Sequence, residues 1–462
     1  MQNVAEKIYQ NRICAFLRAL TEHDAYPAVI GAFALCCYLL GLPLLAISVF
    51  ATLFAFTFFC SKDTRPAMTL VLLVFLTLCY KQKVDAYKTV AAFVIYGVFG
   101  ALVLASIVFH LIVYPTPKQK HRLLIGFALF SVGMLIGGVF SEHYRAFNFV
   151  NALSVSAVLF GGYLLFSFTM FDRKDNLLYV ARIAAVAVCV IAVELLQFYV
   201  REYQSNTILN TAWKQKIVLG WGISNFVGEM IAMLLPAVFY LIYKEKYGYF
   251  YYLVAIVGLV AIYFTLSRNA MLFGGLSFVV GMTASAVLKR HWLNWILLGG
   301  IVLAGGVAVW LIYHYENVFT MLGLKDNGRF ALWRRYIDLF KESPIFGVGV
   351  VAYRNLYPGA NLNAHNTLLH MLSGSGIIGL ILYLAHRLQT VLLFLKKPNL
   401  DRLFVGSCVV VGVGMSLLSP LFFRLYFLVY YSVFLMLLEK SVEADKTSET
   451  LSKDEKTEEK AE

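Results

Sequence analysis

Residues 217–290 read IVLGWGISNFVGEMIAMLLPAVFYLIYKEKYGYFYYLVAIVGLVAIYFTLSRNAMLFGGLSFVVGMTASAVLKR. Three apolar runs, 217–243, 249–266 and 270–288, are divided by breaks that hold most of the charge: Lys244 to Lys246, then Ser267-Arg268, then Lys289 and Arg290. About 20 apolar residues let a helix cross roughly 30 Å of hydrocarbon, and in that solvent a helix satisfies its own backbone polar groups. The pattern recurs at 26–41, 43–60, 66–80, 89–114, 123–140, 149–171, 178–199, 293–313, 365–385, 403–419 and 421–438. The sequence therefore predicts an all-α polytopic membrane helix bundle with about fourteen transmembrane helices.

Composition points the same way. Of 462 residues 60% are hydrophobic and 14% charged, where ordinary soluble domains run near 45–50% and about 25%. Leu42-Pro43 divides the first two runs, which reads as a helix pair or one broken helix, and the run 66–80 is short for a span. Residues 1–25 read as an interfacial helix with Val4, Ile8, Phe16 and Leu20 beside Lys7, Arg12 and Arg18. The first apolar run follows only at Tyr26, so no cleavable signal peptide is expected. The membrane-embedded domain spans 26–438. A charged cytoplasmic tail, 439–462, is expected to be disordered. The seven cysteines show no metal spacing and read as buried, reduced thiols.

Net charge is +13, and the tail from Glu439 holds nine acids against five bases, leaving about +17 on the rest. Basic loops on the cytoplasmic side account for that excess, so nucleic acid is not an expected partner. Lys118, Lys120 and Arg122 mark one such loop, Lys244 and Lys246 a second, and Lys289 and Arg290 a third. Arg387, Lys396, Lys397 and Arg402 mark the fourth. Alternating from these anchors puts both termini in the cytoplasm; Lys81, Lys83 and Lys88 run against the rule. A large loop, 314–364, falls outside. Within it RFALWRRYIDLFK (329–341) predicts an amphipathic helix on the outer membrane surface, with Phe330, Trp333, Ile337 and Phe340 on one face. Arg334, Arg335, Asp338 and Lys341 take the other, and Pro344 with the following glycines stops it.

Four segments carry chemistry. AHNTLLHMLSGSGIIG (364–379) places His365-Asn366 where the outside loop enters the membrane, then nine residues, then Gly376-x-x-Gly379. LSRNAMLFG (266–274) contains Ser267-Arg268. GRFALWRRYIDLFKESPIFGVG (328–349) opens on Gly-Arg and closes on Pro-x-x-Gly-x-Gly. WGISNFVGEMIAMLLP (221–236) contains Asn225 and ends in Pro236. In these residues, their spacing and their order, the stretch from about 217 to 385 resembles the O-antigen ligase family. The first 200 residues match it only as generic membrane helices. The resemblance implies a metal-independent, inverting glycosyltransferase without a cofactor. Such an enzyme moves a glycan from a polyprenyl-diphosphate carrier to a lipid or glycan acceptor, on the outer face of the cytoplasmic membrane.

The residues themselves suit that chemistry. Outside the cell there is no ATP, so a transferase needs a donor that is already activated, and a diphosphate is a good leaving group. Its departing charge needs fixed cations, and guanidinium grips phosphate oxygens in pairs. Arg268 and Arg329 are the candidates, with His365 as the base that takes the acceptor's proton. Asn225, Asn366, Arg334 and Arg335 are candidate substrate-binding residues, although Arg334 and Arg335 also read as a stripe facing headgroups. His370, five residues past His365, should face elsewhere and pack. Glu142, Glu202, Glu316 and Asp326 are scattered, so no metal site is expected. Gly133 and Gly137 read as close helix packing. Other readings are a polymerase of capsule or other surface polysaccharide, and a peptidoglycan-polymerising relative, against which the His-Asn-x9-Gly spacing argues. From another class comes a small-anion transporter using Glu194, Glu229 and the arginines.

Overall fold

The structure is a computed structural model, and it describes residues 2–78, 89–116, 120–171, 173, 175–202, 211–289, 292–314, 329–350, 364–396 and 398–458. In chain order the helices are α1 (Gln2–Gln10), α2 (Arg12–Thr21), α3 (Tyr26–Leu40), α4 (Pro43–Cys60), α5 (Arg65–Leu73), α6 (Val90–Val113), α7 (Leu124–Ile136), α8 (Ala146–Thr169) and α9 (Asn176–Glu202). There follow α10 (Thr211–Lys216), α11 (Ser224–Lys244), α12 (Tyr251–Phe264), α13 (Arg268–Lys289), α14 (Trp292–His314), α15 (Arg329–Glu342), α16 (Thr367–Leu395), α17 (Leu400–Ser416) and α18 (Leu425–Glu458). Among the described residues the one extended pairing is an isolated bridge between Val218 and Ile223. The protein is a polytopic membrane helix bundle. Its axis is α11, buried on nearly every side by α9, α12, α13 and α17.

Each of the fourteen apolar runs contains a helix, but length divides them. Among the described residues eight helices are long and apolar enough to cross a membrane, or nine if α2 and α3, bent by 82° at their junction, make one span. The 13 residues of α7 reach only about 20 Å at 1.5 Å per residue, against roughly 30 Å of hydrocarbon. Arg65–Thr77 and Gly248–Phe264 are likewise short. Among the described residues helix length supports eight or nine full spans, and the run 123–140 gives only a short helix because 137–140 is a non-helical turn. The first two runs are a helix pair, turned by Gly41 in the left-handed region (φ 72°) and restarted by Pro43. The N-terminal segment is two helices, because Asn11 Oδ1 caps α2 by accepting from the N–H groups of Ile13 and Cys14.

Contacts sort the connections into two ends. At one end Arg182 pairs with Asp24 (2.6 Å) and Glu245 (2.8 Å), Lys244 with Asp401 (3.0 Å), and Arg65 with Asp63 and Asp175. Lys289 Nζ donates there to the carbonyls of Ile242 and Glu245. At the other end Ser224 Oγ donates to the Thr265 carbonyl (2.5 Å), Thr367 Oγ1 to the Ser419 carbonyl (3.2 Å), and His143 meets Glu342 (3.1 Å). Even short α7 joins the two. The N–H of Leu123, just before it, donates to Glu439, and that of Gly138, just after it, donates to the Phe346 carbonyl. The basic breaks at 244–246, 289 and 396–402 thereby share one end, as alternation requires; Lys81, Lys83 and Lys88 lie outside the described residues. Single cysteines should report this directly. Glu142→Cys should react with an impermeant maleimide in intact cells and Lys246→Cys only after permeabilisation; equal labelling of the two would contradict the alternation.

Two features add to the expected arrangement. The body extends beyond 438: Glu439, Lys440 and Val442 are buried, and Glu439 accepts from Leu123 N–H and Tyr163 O–H. Beyond them α18 runs on to Glu458, where composition predicts disorder. No glycine or proline interrupts 425–458, and pairs such as Glu449 and Lys453 have helix-supporting spacing. The surface helix α15 also packs on the bundle through a second apolar stripe and leaves part of its expected membrane face exposed. Leu332, Tyr336 and Leu339 are buried against Val348 and Ala364, while Phe330 and Ile337 are exposed. The apolar residues cover more than one stripe, and the bundle takes the one that reaches α16.

What fixes α15 is a break inside α16. Gly376 has φ 67° and ψ −168°, which frees backbone groups in mid-helix. The Pro344–Gly349 segment fills the gap: Ile377 N–H donates to the Pro344 carbonyl (2.9 Å), Val348 N–H to Ser373 (2.8 Å) and Gly349 N–H to Gly374 (2.9 Å). Irregular backbone at membrane depth persists only where such partners exist. A Cβ on Gly376 would lie 2.2 Å from the Ile345 carbonyl oxygen. On the far side Gly133 and Gly137 pack against Gly379 and Ser375. Gly376→Ala should therefore lower stability by at least the roughly 1–3 kcal/mol of a strained conformation. Thermal unfolding in detergent checks this, and an unchanged midpoint would mean that the break is not held by this segment.

Candidate active site

The N-termini of α11, α13, α15, α16 and α18 are among those at the second end. Each contributes partial positive charge and outward N–H groups, the usual setting for an anion. Local backbone geometry places them. Leu266 takes φ 54°, turning the chain sharply out of α12 so that Ser267 caps α13 (Oγ accepts from Ala270 N–H, 3.4 Å) and Arg268 is its first residue. The turn 217–223, closed by Leu219 N–H to the Gly222 carbonyl, delivers the chain to α11.

Full charges converge on the same place. Lys214, in α10, lies within electrostatic reach of Arg268 and Arg329; burial first, and then these two cations, hold its pKa below the usual lysine range. His365 feels Arg329, Arg424 and Lys214. Arg424, between α17 and α18, stacks over the Phe226 ring at 4.0 Å, and burial pulls its pKa down. Its Nε is buried and, among the described residues, makes no hydrogen bond. Two unit charges 4 Å apart at a protein surface repel by about 4 kcal/mol. A multivalent anion entering a nest of such cations would relieve that repulsion.

One carboxylate adjoins the nest. Glu229 accepts from Asn269 Nδ2 (2.7 Å) and Ser419 Oγ (2.9 Å), with Arg424 and Lys214 in electrostatic range. These bonds join α11, α13 and the α17–α18 connection behind the cations. Glu194 is fully buried, and its Oε2 accepts from Trp221 Nε1 (2.8 Å). Both acids are thus tied into helix packing.

His365 is half-buried with φ 49°, a strained setting that histidine and asparagine tolerate better than most residues. Its neighbours hold it there. Trp333 Nε1, from α15, donates to the Ala364 carbonyl (2.7 Å), and Asn366 Oδ1 caps α16 by accepting from Leu369 N–H (3.0 Å). Burial foremost, and then Arg329, Arg424 and Lys214, push the imidazole pKa below its usual value, so the ring is neutral at pH 7. His370 is packed instead. It is buried, donates from Nε2 to the Val350 carbonyl (2.6 Å), and its ring lies 4.0 Å from that of Phe423.

The structure thus brings Arg268, Arg329 and His365 to one place and adds Lys214 and Arg424. Asn225 is the second residue of α11, one turn ahead of Glu229 and next to the Phe226 under Arg424. Asn366 is the helix cap of the motif. Arg334 and Arg335 are exposed on α15, and neither figures among the charges acting on His365, Lys214 or Arg424. A signal for Arg424 was present, a lone arginine in the otherwise apolar SPLFFRLYF (419–427). Lys214 sits in the unremarkable AWKQK (212–216).

A family model described as O-antigen ligase matches residues 253–384, which hold Arg268, α15, the Pro344–Gly349 segment and the His365-Asn366 element. This stretch is similar to the O-antigen ligase family. The exopolysaccharide production protein ExoQ of Rhizobium meliloti (strain 1021) is 31% identical over 157 residues, 30% of this chain and 36% of the relative. The chain therefore matches just over a third of that relative's length. Both likenesses are to proteins of surface polysaccharide, one described as an O-antigen ligase and one as an exopolysaccharide production protein. Lys214 and Arg424, the two cations absent from the motifs, fall outside the matched O-antigen ligase stretch.

Proposed function

We propose that the protein transfers a glycan from a polyprenyl-diphosphate carrier to an acceptor hydroxyl on the outer face of the cytoplasmic membrane. The observation that carries this is the convergence of Arg268, Arg329, Lys214 and Arg424, with five helix N-termini, around a neutral His365. The acceptor oxygen attacks the anomeric carbon and the carbon–oxygen bond to the diphosphate breaks. His365 takes the hydroxyl proton, and polyprenyl diphosphate leaves with its new negative charge held by the cations. Asn225 and Asn366 flank this place, and Arg334 and Arg335 face outward, where a sugar or a lipid headgroup would lie.

Whether the acceptor is another glycan or a lipid separates polymerase from ligase. The ExoQ likeness favours a polysaccharide product, and surface glycans of a gene-deletion strain test it. Loss of a polymer with its repeat unit still present indicates polymerase, loss of glycan from a lipid core indicates ligase, and an unchanged surface contradicts both.

Donor binding should alter the base. The diphosphate's negative charge offsets the cations that depress the His365 pKa, so the acid limb of kcat should lie at higher pH than that of kcat/KM. By the same sign, Arg329→Gln should move the kcat/KM limb upward, toward the ordinary histidine value of about 6.5. A limb that stays in place or falls would remove His365 as the titrating group.

A further inference from the structure

A cavity of about 430 Å³ lies at the end of the bundle opposite the candidate active site, between the ends of α9, α11, α17 and α18. Four bases line it, Arg173, Lys244, Arg402 and Lys440, against two acids, Asp175 and Asp401. Lys244 pairs with Asp401 (3.0 Å), Arg173 with Asp63 (3.1 Å) and Asp175 with Arg65 (2.5 Å). Arg402 and Lys440 are 5% exposed each, unlike ordinary basic residues at a membrane rim. Arg402 donates to Ser441 Oγ (2.9 Å) and to the Ser441 carbonyl (2.5 Å), and Lys440 to the Met170 carbonyl (2.8 Å), which fixes both at the wall. The lining is net positive, fixed in place, and large enough for a small ligand.

The floor of the cavity is apolar, with Leu177, Tyr240 and Leu437. A second, apolar groove of about 270 Å³ adjoins it, lined by Leu276, Val280, Leu400, Leu403, Phe404 and Val410. The first turn of α17 borders both, and the Phe404 ring of the groove packs 6.1 Å from the Tyr240 ring of the cavity. A basic pocket with an apolar channel beside it, at the depth where spans end, matches a molecule with a phosphate head and an acyl chain. We infer that this cavity binds the phosphate headgroup of an anionic phospholipid, one of whose acyl chains lies in the adjoining groove.

Purified full-length protein, stripped of lipid in neutral detergent, provides the test, with bound lipid counted by native mass spectrometry. Phosphatidylglycerol should bind at least about 10-fold more tightly than phosphatidylcholine, and each base removed should weaken it about 5-fold, the equivalent of roughly 1 kcal/mol per basic residue. Arg402→Gln addresses the buried wall, and Lys244→Gln, whose side chain is 40% exposed, keeps the test open should the first variant unfold. Glycerol phosphate, which has the head without the chains, should bind far more weakly than phosphatidylglycerol. Equal binding of the two phospholipids, or wild-type affinity in folded variants, would overturn the inference. Glycerol phosphate binding as tightly as the lipid would assign the cavity to a soluble phosphate compound and overturn its lipid part.

Discussion

Replacing His365 should lower the transfer rate by roughly 100- to 10,000-fold, the usual worth of a general base, while donor binding changes little. The separation follows from the proposed roles, in which the cations would hold the diphosphate and His365, its pKa lowered by burial and then by those cations, would act as the base. Alanine at this position also carries the strain of φ 49° without histidine's tolerance for it. His365→Asn is the better-matched variant, since asparagine enters the left-handed region readily yet takes no proton at these pH values. Both variants should be equally slow, and neither should show the acid limb. If His365→Asn transfers glycan at the wild-type rate, the strongest motif of the chain is a helix-entry device and not a base.

Removing one cation of the nest should cost about 100- to 1,000-fold in turnover, comparable to deleting a single donor that stabilises developing charge. Arg268→Ala should show it with the protein still inserted and with an unchanged unfolding midpoint, because Arg268 sits at a helix start and not in the packed core. Arg268→Lys should rescue poorly, since an ammonium lacks the two-pronged grip. Arg424→Gln should behave alike and weaken donor binding as well, its Nε being buried and, among the described residues, without a hydrogen bond. Wild-type kinetics in Arg268→Ala would make that arginine an interfacial anchor, and wild-type kinetics in Arg424→Gln would remove it from the site.

Much of this was legible because membranes simplify the reading. Apolar runs gave the helices, and the bases at Lys244 to Lys246 and at Lys289 gave loops that do meet at one end. Helix lengths were less legible, since Gly137 to Phe140 and Ile217 to Ile223 are as apolar as the helices they adjoin but fold as turns. The Pro344–Gly349 and Gly376–Gly379 elements could be matched to a family, yet their contact depends on a left-handed glycine in mid-helix, which no periodicity signals. For α15, hydrophobic spacing left more than one stripe open, and tertiary contact with α16 chose among them. Lys214 and Arg424 were missed because each reaches the site from a distant part of the chain, one before α11 and one after α17.

Transfer from a lipid-linked diphosphate is measured most directly with purified wild-type protein, one defined polyprenyl-diphosphate glycan and an acceptor. Free polyprenyl diphosphate and glycosylated acceptor should appear in equal amounts, with no release in the His365→Asn variant. Failure to bind the donor, together with uptake of a labelled anion by proteoliposomes, would contradict the account and make the cation nest a permeation site.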